Sequence, residues 1–262
     1  MTDSWASGEA YEVYVGRWSR PAARDLLAWL ALPPGLRWLD VGCGTGALTE
    51  AVLAAMAPRS VVGVDPSTAH LEHAGRRVLD PRAEFRPGSA ERLPLADGAV
   101  DVTISGLVLN FVPDPPKAVA EMRRVTRLRG TVAAYVWDYA GQMQMMRHFW
   151  DAAVALDRAA APLDEGRRFP MCRPEPLAAL FRDAGLLGVE TRALDVPTVF
   201  RDFDDYWTPF LGGQAPAPGY CMSLDEDRRR ALREEVRRRL PIRDDGSIHL
   251  LARAWAVRGV VA

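Results

Sequence analysis

Within residues 38–50, WLDVGCGTGALTE, an apolar run closed by an acid is followed by three glycines at alternate positions and then a stretch of helical period. A glycine-rich turn from a strand into a helix lets backbone approach a ligand, because no Cβ stands in the way. Such a turn belongs at the carboxyl end of a strand in an open parallel sheet. This feature constrains the architecture more than any other in the chain.

The rest of the sequence agrees with it. From residue 36, short β-branched runs alternate with helical stretches, the pattern of βαβ units. Strands are expected at 36–41, 60–65, 83–88, 100–109 and 131–138, with helices at 47–57, 67–80 and 114–127, the last closed by Gly130. Residues 139–172 are too long for an ordinary connection and read as an inserted helix and loop. A helix at 174–186 and a sixth strand at 188–196 resume the pattern. A second irregular segment at about 200–222 leads to a charged helix at 224–240, and a last strand is expected at 247–257. The fold class is therefore α/β, a doubly wound, Rossmann-like, mostly parallel sheet of about seven strands, with helical insertions after strands 5 and 6. Residues 1–35 are expected to form a lid ahead of a domain spanning 36–262.

The glycine spacing alone fits two ligands. Gly42, Gly44 and Ala47 match a dinucleotide pattern, whereas Gly42, Gly44 and Gly46 make GxGxG. Asp40 bears on the choice. At the end of the strand its carboxylate faces the ligand crevice, and at about 5 Å it would repel a pyrophosphate by several kcal/mol in a partly desolvated site. S-adenosylmethionine carries no phosphate and has an ammonium and a sulfonium, which suit an acid there. Asp65, closing the second strand, can accept hydrogen bonds from ribose hydroxyls of either ligand.

Charge and cysteine content narrow the class. Lys and Arg number 33 against 34 Asp and Glu, a net charge of -1, so no overall field draws the chain to nucleic acid. Cys43, Cys172 and Cys221 form no CxxC pair or zinc-ligand pattern, so no metal is expected. No secretory signal or membrane span is legible, and a cytoplasmic location is expected.

Five segments in order, YEVYVGRWSRP, LDVGCGTGALTE, VVGVDPS, GSAERLPLADGAVDV and TISGLVLNFVPDPPKAVAEMRRVTR, span about 11–129. Together they resemble class I S-adenosylmethionine-dependent methyltransferases, and more narrowly the ubiquinone/menaquinone-biosynthesis-like, or type 11, group. The resemblance implies methyl transfer to a small-molecule acceptor. It implies that Asp40, Gly42 and Gly44 hold the methionine end of S-adenosylmethionine, Asp65 the ribose and Pro66 one adenine face. Ser89, Ala90 and Glu91 would line the adenine edge, Ser105 and Leu107 would flank the sulfonium, and Arg17 would pair with the cofactor carboxylate. Two positions depart from the pattern: Ser89 stands where an aspartate is common, and Asn110 where a histidine is frequent.

The acceptor should meet the variable segments around the crevice. Tyr14, Asn110, Trp137, Tyr139 and His148 are the candidate contacts, and their aromatic content suggests an apolar or flat acceptor. No residue stands out as a general base, so catalytic residues are unassigned. His70 and His73 read as surface residues and His249 as packing. The Met143, Met145, Met146, Phe149 and Trp150 stripe reads as an inner helix face, and the arginine-rich run at 228–240 as a solvated helix. The competing functions are an NAD(P)-dependent oxidoreductase and a non-catalytic protein that keeps the fold and the cofactor.

Overall fold

The structure, a computed structural model, describes residues 16–213 and 215–262. In chain order the elements are α1 (Arg17–Leu30), β1 (Arg37–Val41), α2 (Ala47–Ala55), β2 (Ser60–Asp65), α3 (Thr68–Arg77), β3 (Ala83–Pro87), β4 (Val100–Gly106), α4 (Pro115–Val125) and β5 (Thr126–Trp137). They continue with α5 (Gln144–Leu156), α6 (Glu165–Arg168), α7 (Pro174–Asp183), β6 (Leu186–Phe200), α8 (Phe203–Trp207), α9 (Pro216–Ser223), α10 (Glu226–Arg239) and β7 (Ile248–Val261). Short 3-10 turns fall at Leu109–Phe111, Arg158–Leu163 and Thr208–Gly212.

The chain divides into two compact units. The sheet unit comprises 19–136, 171–194 and 254–262; the second comprises 137–170 and 195–253 together with the described residues 16–18. This division differs from the expected one. Residues 19–35 join the sheet unit, and both insertions share a unit with the charged helix α10.

The sheet has seven strands in the order β3-β2-β1-β4-β5-β7-β6, and every pair from β3 to β5 is parallel. The strand order reverses between β1 and β4. In open α/β sheets that reversal leaves a crevice outside the carboxyl ends of the two strands. β1 is buried on both faces, with Trp38, Leu39 and Val41 wholly excluded from solvent, as parallel strands covered by helices must be. α1 buries Ala22, Ala23, Leu26, Leu27 and Leu30, and Trp29 stacks on Arg258, whose guanidinium carbon lies 4.7 Å from the ring centroid.

At the opposite end of the strands, Asp101 accepts from Arg37 Nε at 3.0 Å and Nη2 at 3.1 Å and from Arg127 Nε at 2.5 Å. The Arg37 bonds, with a lesser share from Arg127, hold its carboxyl far below the usual range. This network ties the start of β1 to β4 and β5.

Among the boundaries that differ from expectation, those of β5 and β4 have a clear structural cause. β5 begins at Thr126 directly after α4, so Gly130 lies inside a strand and does not cap a helix. A Cβ there would sit 2.6 Å from the Asp101 carbonyl oxygen, beside the register shift between Val100 and Val102; close backbone approach explains the glycine. β4 ends at Gly106 because Leu107 turns to φ 62, a left-handed conformation that strand backbone cannot continue.

The second unit is built on an aromatic core. Phe149 stacks on Phe210 with centroids 4.5 Å apart, and Tyr206 donates a 2.6 Å hydrogen bond to the Met145 carbonyl. The stripe from Met143 to Trp150 is buried, the inner face that the sequence led us to expect. Trp150 donates its indole N–H to the buried Glu165 carboxyl, whose pKa burial pushes up to about 7. α10 buries only Leu232 and Val236, and its arginines pair with acids, among them Arg239 with Glu235 at 2.6 Å. His249, expected to pack, is exposed between buried Ile248 and Leu250, because strand alternation turns it outward. Among the described residues no helix is long and apolar enough to cross a membrane.

Candidate active site

The site is assembled at the carboxyl ends of β1, β2 and β4, all in the sheet unit. Asp40 is the fourth residue of β1 and is fully buried. Its Oδ2 accepts a 2.8 Å hydrogen bond from the Thr49 hydroxyl in the first turn of α2, whereas its Oδ1 is buried without a partner. Burial, assisted by the nearby Asp65 and opposed by Thr49, pushes the Asp40 carboxyl up to about 7. A carboxylate deprived of water and only half satisfied is costly to the fold, so its missing partner is the most informative feature of the site.

The glycine turn that follows has Gly42, Gly44 and Gly46 at φ 72, 51 and 86. Their surroundings differ. A Cβ on Gly42 would lie 2.5 Å from Val108 Cγ1, and one on Gly46 would meet Ala74 and Val78 at 3.2 Å. Those two glycines serve close packing. At Gly44 nothing lies within 4 Å of the Cβ position, so this is where backbone is presented to open space.

Asp65 ends β2 and reaches back to the turn. Its Oδ2 accepts from Gly44 N at 3.0 Å and its Oδ1 from Ser67 N at 2.9 Å. A carboxylate offers about four lone-pair sites, so two remain for a ligand after it has fixed the turn. His70, in the first turn of α3, stands with Nδ1 3.6 Å from Asp65 Oδ1. Pro66 is exposed beside it.

The segment after β3 forms a small hydrogen-bonded turn. Glu91 N donates to Ser89 Oγ at 3.2 Å, and Glu91 Oε1 accepts from Asp114 N at 2.9 Å. Ser89 is exposed, Ala90 and Glu91 are half-buried, and the Glu91 carboxylate anchors the start of α4. On β4, Ser105 is fully buried and donates its hydroxyl to the Val41 carbonyl at 2.9 Å, which stitches β4 to β1. Leu107 holds its positive φ through a 2.8 Å bond from its N–H to the Tyr135 carbonyl. Asn110 is buried and both of its side-chain polar atoms lack partners.

The other described candidates belong to the second unit. Arg17, in the second unit, places its guanidinium over the Trp18 and Phe200 rings and pairs through Nη1 with Asp205 at 3.2 Å. Trp137 and Tyr139 are buried, Tyr139 with its ring 5.5 Å from that of Phe169. His148 is half-buried on α5, and burial lowers its pKa. Tyr14 lies outside the described residues. Thr49 and Val108 were missed by sequence reasoning. The one legible signal was a threonine on the otherwise apolar inner side of the helix ALTEAVLAA.

Residues 39–134 match a family described as methyltransferase domain. The match covers less than half of the chain. The matched stretch runs from β1 into β5 and holds Asp40, the glycine turn, Asp65 and Asn110. The chain is 39% identical over 105 residues to demethylmenaquinone methyltransferase of Roseiflexus sp. (strain RS-1), covering 40% of this chain and 44% of that protein. Malonyl-[acyl-carrier protein] O-methyltransferase of Pectobacterium atrosepticum is 35% identical over 114 residues, 44% of each chain. The chain thus spans less than half the length of these curated relatives in matched sequence. Among solved structures, phosphoethanolamine N-methyltransferase 2 of Haemonchus contortus, in complex with phosphomonomethylethanolamine and S-adenosylhomocysteine, superposes with a TM-score of 0.60. That superposition covers 97% of this chain and 56% of the other at 16% identity, and the likeness is one of fold.

Proposed function

We propose that the protein is an S-adenosylmethionine-dependent methyltransferase acting on a small-molecule acceptor. The observation that carries the reading is the unpartnered, buried Oδ1 of Asp40 behind a turn whose middle glycine faces open space. An anion in that place complements a cationic amino-acid group and opposes a pyrophosphate, which disfavours a nicotinamide dinucleotide. Asp65 keeps lone pairs for ribose hydroxyls while its other contacts hold Gly44 and Ser67 in place. Pro66 and the 89–91 turn line the adenine position. The matched methyltransferase domain and the S-adenosylhomocysteine in a structural neighbour support the same cofactor.

S-adenosylmethionine, when bound, supplies a methyl group already activated on a sulfonium. The residues of this chain then have to hold and align, an effect of proximity and orientation. Asp40 holds charge, Asp65 holds hydroxyls, and the strained Leu107 backbone shapes the wall at the end of β4.

Calorimetry with S-adenosylmethionine, S-adenosylhomocysteine and NAD is the test. Micromolar binding of both sulfur compounds and none of NAD is expected. NAD binding without them sinks the reading. Turnover across phenols, amines and quinone-like acceptors then separates an enzyme from a protein that only binds the cofactor.

A further inference from the structure

Asn110, in the turn that follows β4, leaves its entire side-chain hydrogen-bonding capacity unused. It is 8% exposed, and its Oδ1 and Nδ2 are both buried without a partner. Its turn does not need the carboxamide: Phe111 N donates to Val108 O at 2.8 Å and Val112 N to Leu109 O at 3.3 Å, so backbone alone closes it. Val108 beside it packs on Gly42, and Leu109 is wholly buried. Buried polar groups are almost always paired, and a carboxamide can make up to four hydrogen bonds. A leucine would fill the same place without that cost. The residue is therefore kept for a partner not found among the described residues.

The chemistry of that partner follows from the amide. Asp40, on the neighbouring strand β1, leaves an oxygen suited to a cation. Asn110 instead offers a neutral donor and a neutral acceptor side by side. Its complement is an edge bearing an acceptor next to a donor: a carboxamide, a lactam, or a hydroxyl beside a carbonyl. A carboxylate would satisfy Nδ2 but confront Oδ1 with a second lone pair, and a site built to pair a polar edge rejects ligands that leave half of it unpaired. Resting on the methyltransferase reading, we propose that Asn110 recognises such a neutral donor–acceptor edge on the methyl acceptor and selects against acids.

The test uses the full chain saturated with S-adenosylhomocysteine, titrated with benzamide, 2-pyridone and benzoate and followed by ligand-observed NMR. The two amides are expected to bind at least tenfold tighter than benzoate, and the preference should vanish in Asn110→Leu and Asn110→Ala. Equal binding of amides and benzoate to the wild type overturns the proposal. Calorimetry separates cofactor from acceptor: S-adenosylhomocysteine affinity should stay within twofold in both variants, and a tenfold loss would assign the amide to the cofactor and overturn it. Thermal unfolding without ligand separates binding from folding. Asn110→Leu is expected to match or exceed the wild-type Tm, whereas a fall of several degrees in both variants would make the asparagine structural and overturn the assignment. Failure of the wild type to bind S-adenosylhomocysteine removes the underlying reading, an outcome distinct from cofactor binding without amide preference.

Discussion

The Thr49 hydroxyl donates a 2.8 Å hydrogen bond to one oxygen of Asp40, and the other oxygen, equally buried, has nothing to accept from. One bond is too little to keep a desolvated carboxylate ionised, so its pKa rises to about 7, chiefly through burial. The folded chain then keeps a proton over a range in which the unfolded chain, with an aspartate near 4, has lost it. With fewer protons on the unfolded state, ligand-free stability falls as pH climbs from about 4 to about 7 and levels off above. Glu165, also pushed up to about 7 by burial, acts in the same direction. Urea unfolding should give a higher midpoint at pH 5 than at pH 7.5, and Asp40→Asn should flatten part of that slope. A slope unchanged in the variant would show that Asp40 is not the group responsible.

Binding of a cation beside Asp40 should reverse this balance. The ligand favours the carboxylate, so a proton leaves on binding and S-adenosylmethionine affinity should rise between pH 6 and pH 8. Calorimetry in two buffers of different ionisation enthalpy would count the proton released; none released at pH 6 would contradict the assignment.

Asp65 carries two duties, which predicts two losses. Asp65→Ala should weaken cofactor binding by about 2 to 3 kcal/mol, the size expected for hydrogen bonds to a charged group. It should also lower the unfolding midpoint, because the N–H groups of Gly44 and Ser67 lose their acceptor. Unaltered affinity in a folded variant would place the ribose elsewhere.

Gly42 and Gly44 should respond differently to the same change. Gly42→Ala drives a methyl into Val108 at 2.5 Å and imposes a positive φ, and should cost several kcal/mol of stability. Gly44→Ala meets no atom within 4 Å and should cost about 1 kcal/mol for its φ alone, while cofactor affinity drops at least tenfold as the methyl occupies the open space. Denaturant unfolding beside calorimetry reads both quantities, and equal stability losses would overturn the distinction.

Asp101 provides a control at the far end of the strands. Asp101→Asn should cost about 1 kcal/mol, a modest loss because Arg37 and Arg127 are partly exposed and screened by solvent. Cofactor affinity should not change; a change would mean that the strand ends communicate.

Much of the site was legible because its signals are local. Asp40, the glycines and Asp65 are each announced by a strand end or a tight turn, and the structure puts all of them at one end of the sheet. Thr49 was not legible as Asp40's partner, since the bond depends on how α2 lies over β1. Gly130 was misread as a helix end because a glycine after a basic helical run looks the same whether it caps a helix or admits the Asp101 carbonyl. Sequence shows that Trp137 and Tyr139 carry rings, and only packing shows that both are buried.

By itself, the sequence determined the parallel α/β architecture and the place of the glycine turn. Periodicity and backbone freedom are properties of neighbouring residues, and they act before any distant contact forms. Only tertiary structure decided that 137–170 and 195–253 make a unit of their own, joined by contacts such as Tyr206 to the Met145 carbonyl. It also decided which buried polar atoms find partners. Asp40 Oδ1 and the Asn110 amide are left without any, because hydrogen bonding inside a core depends on which groups packing brings within 3.5 Å, and no pattern along the chain records that.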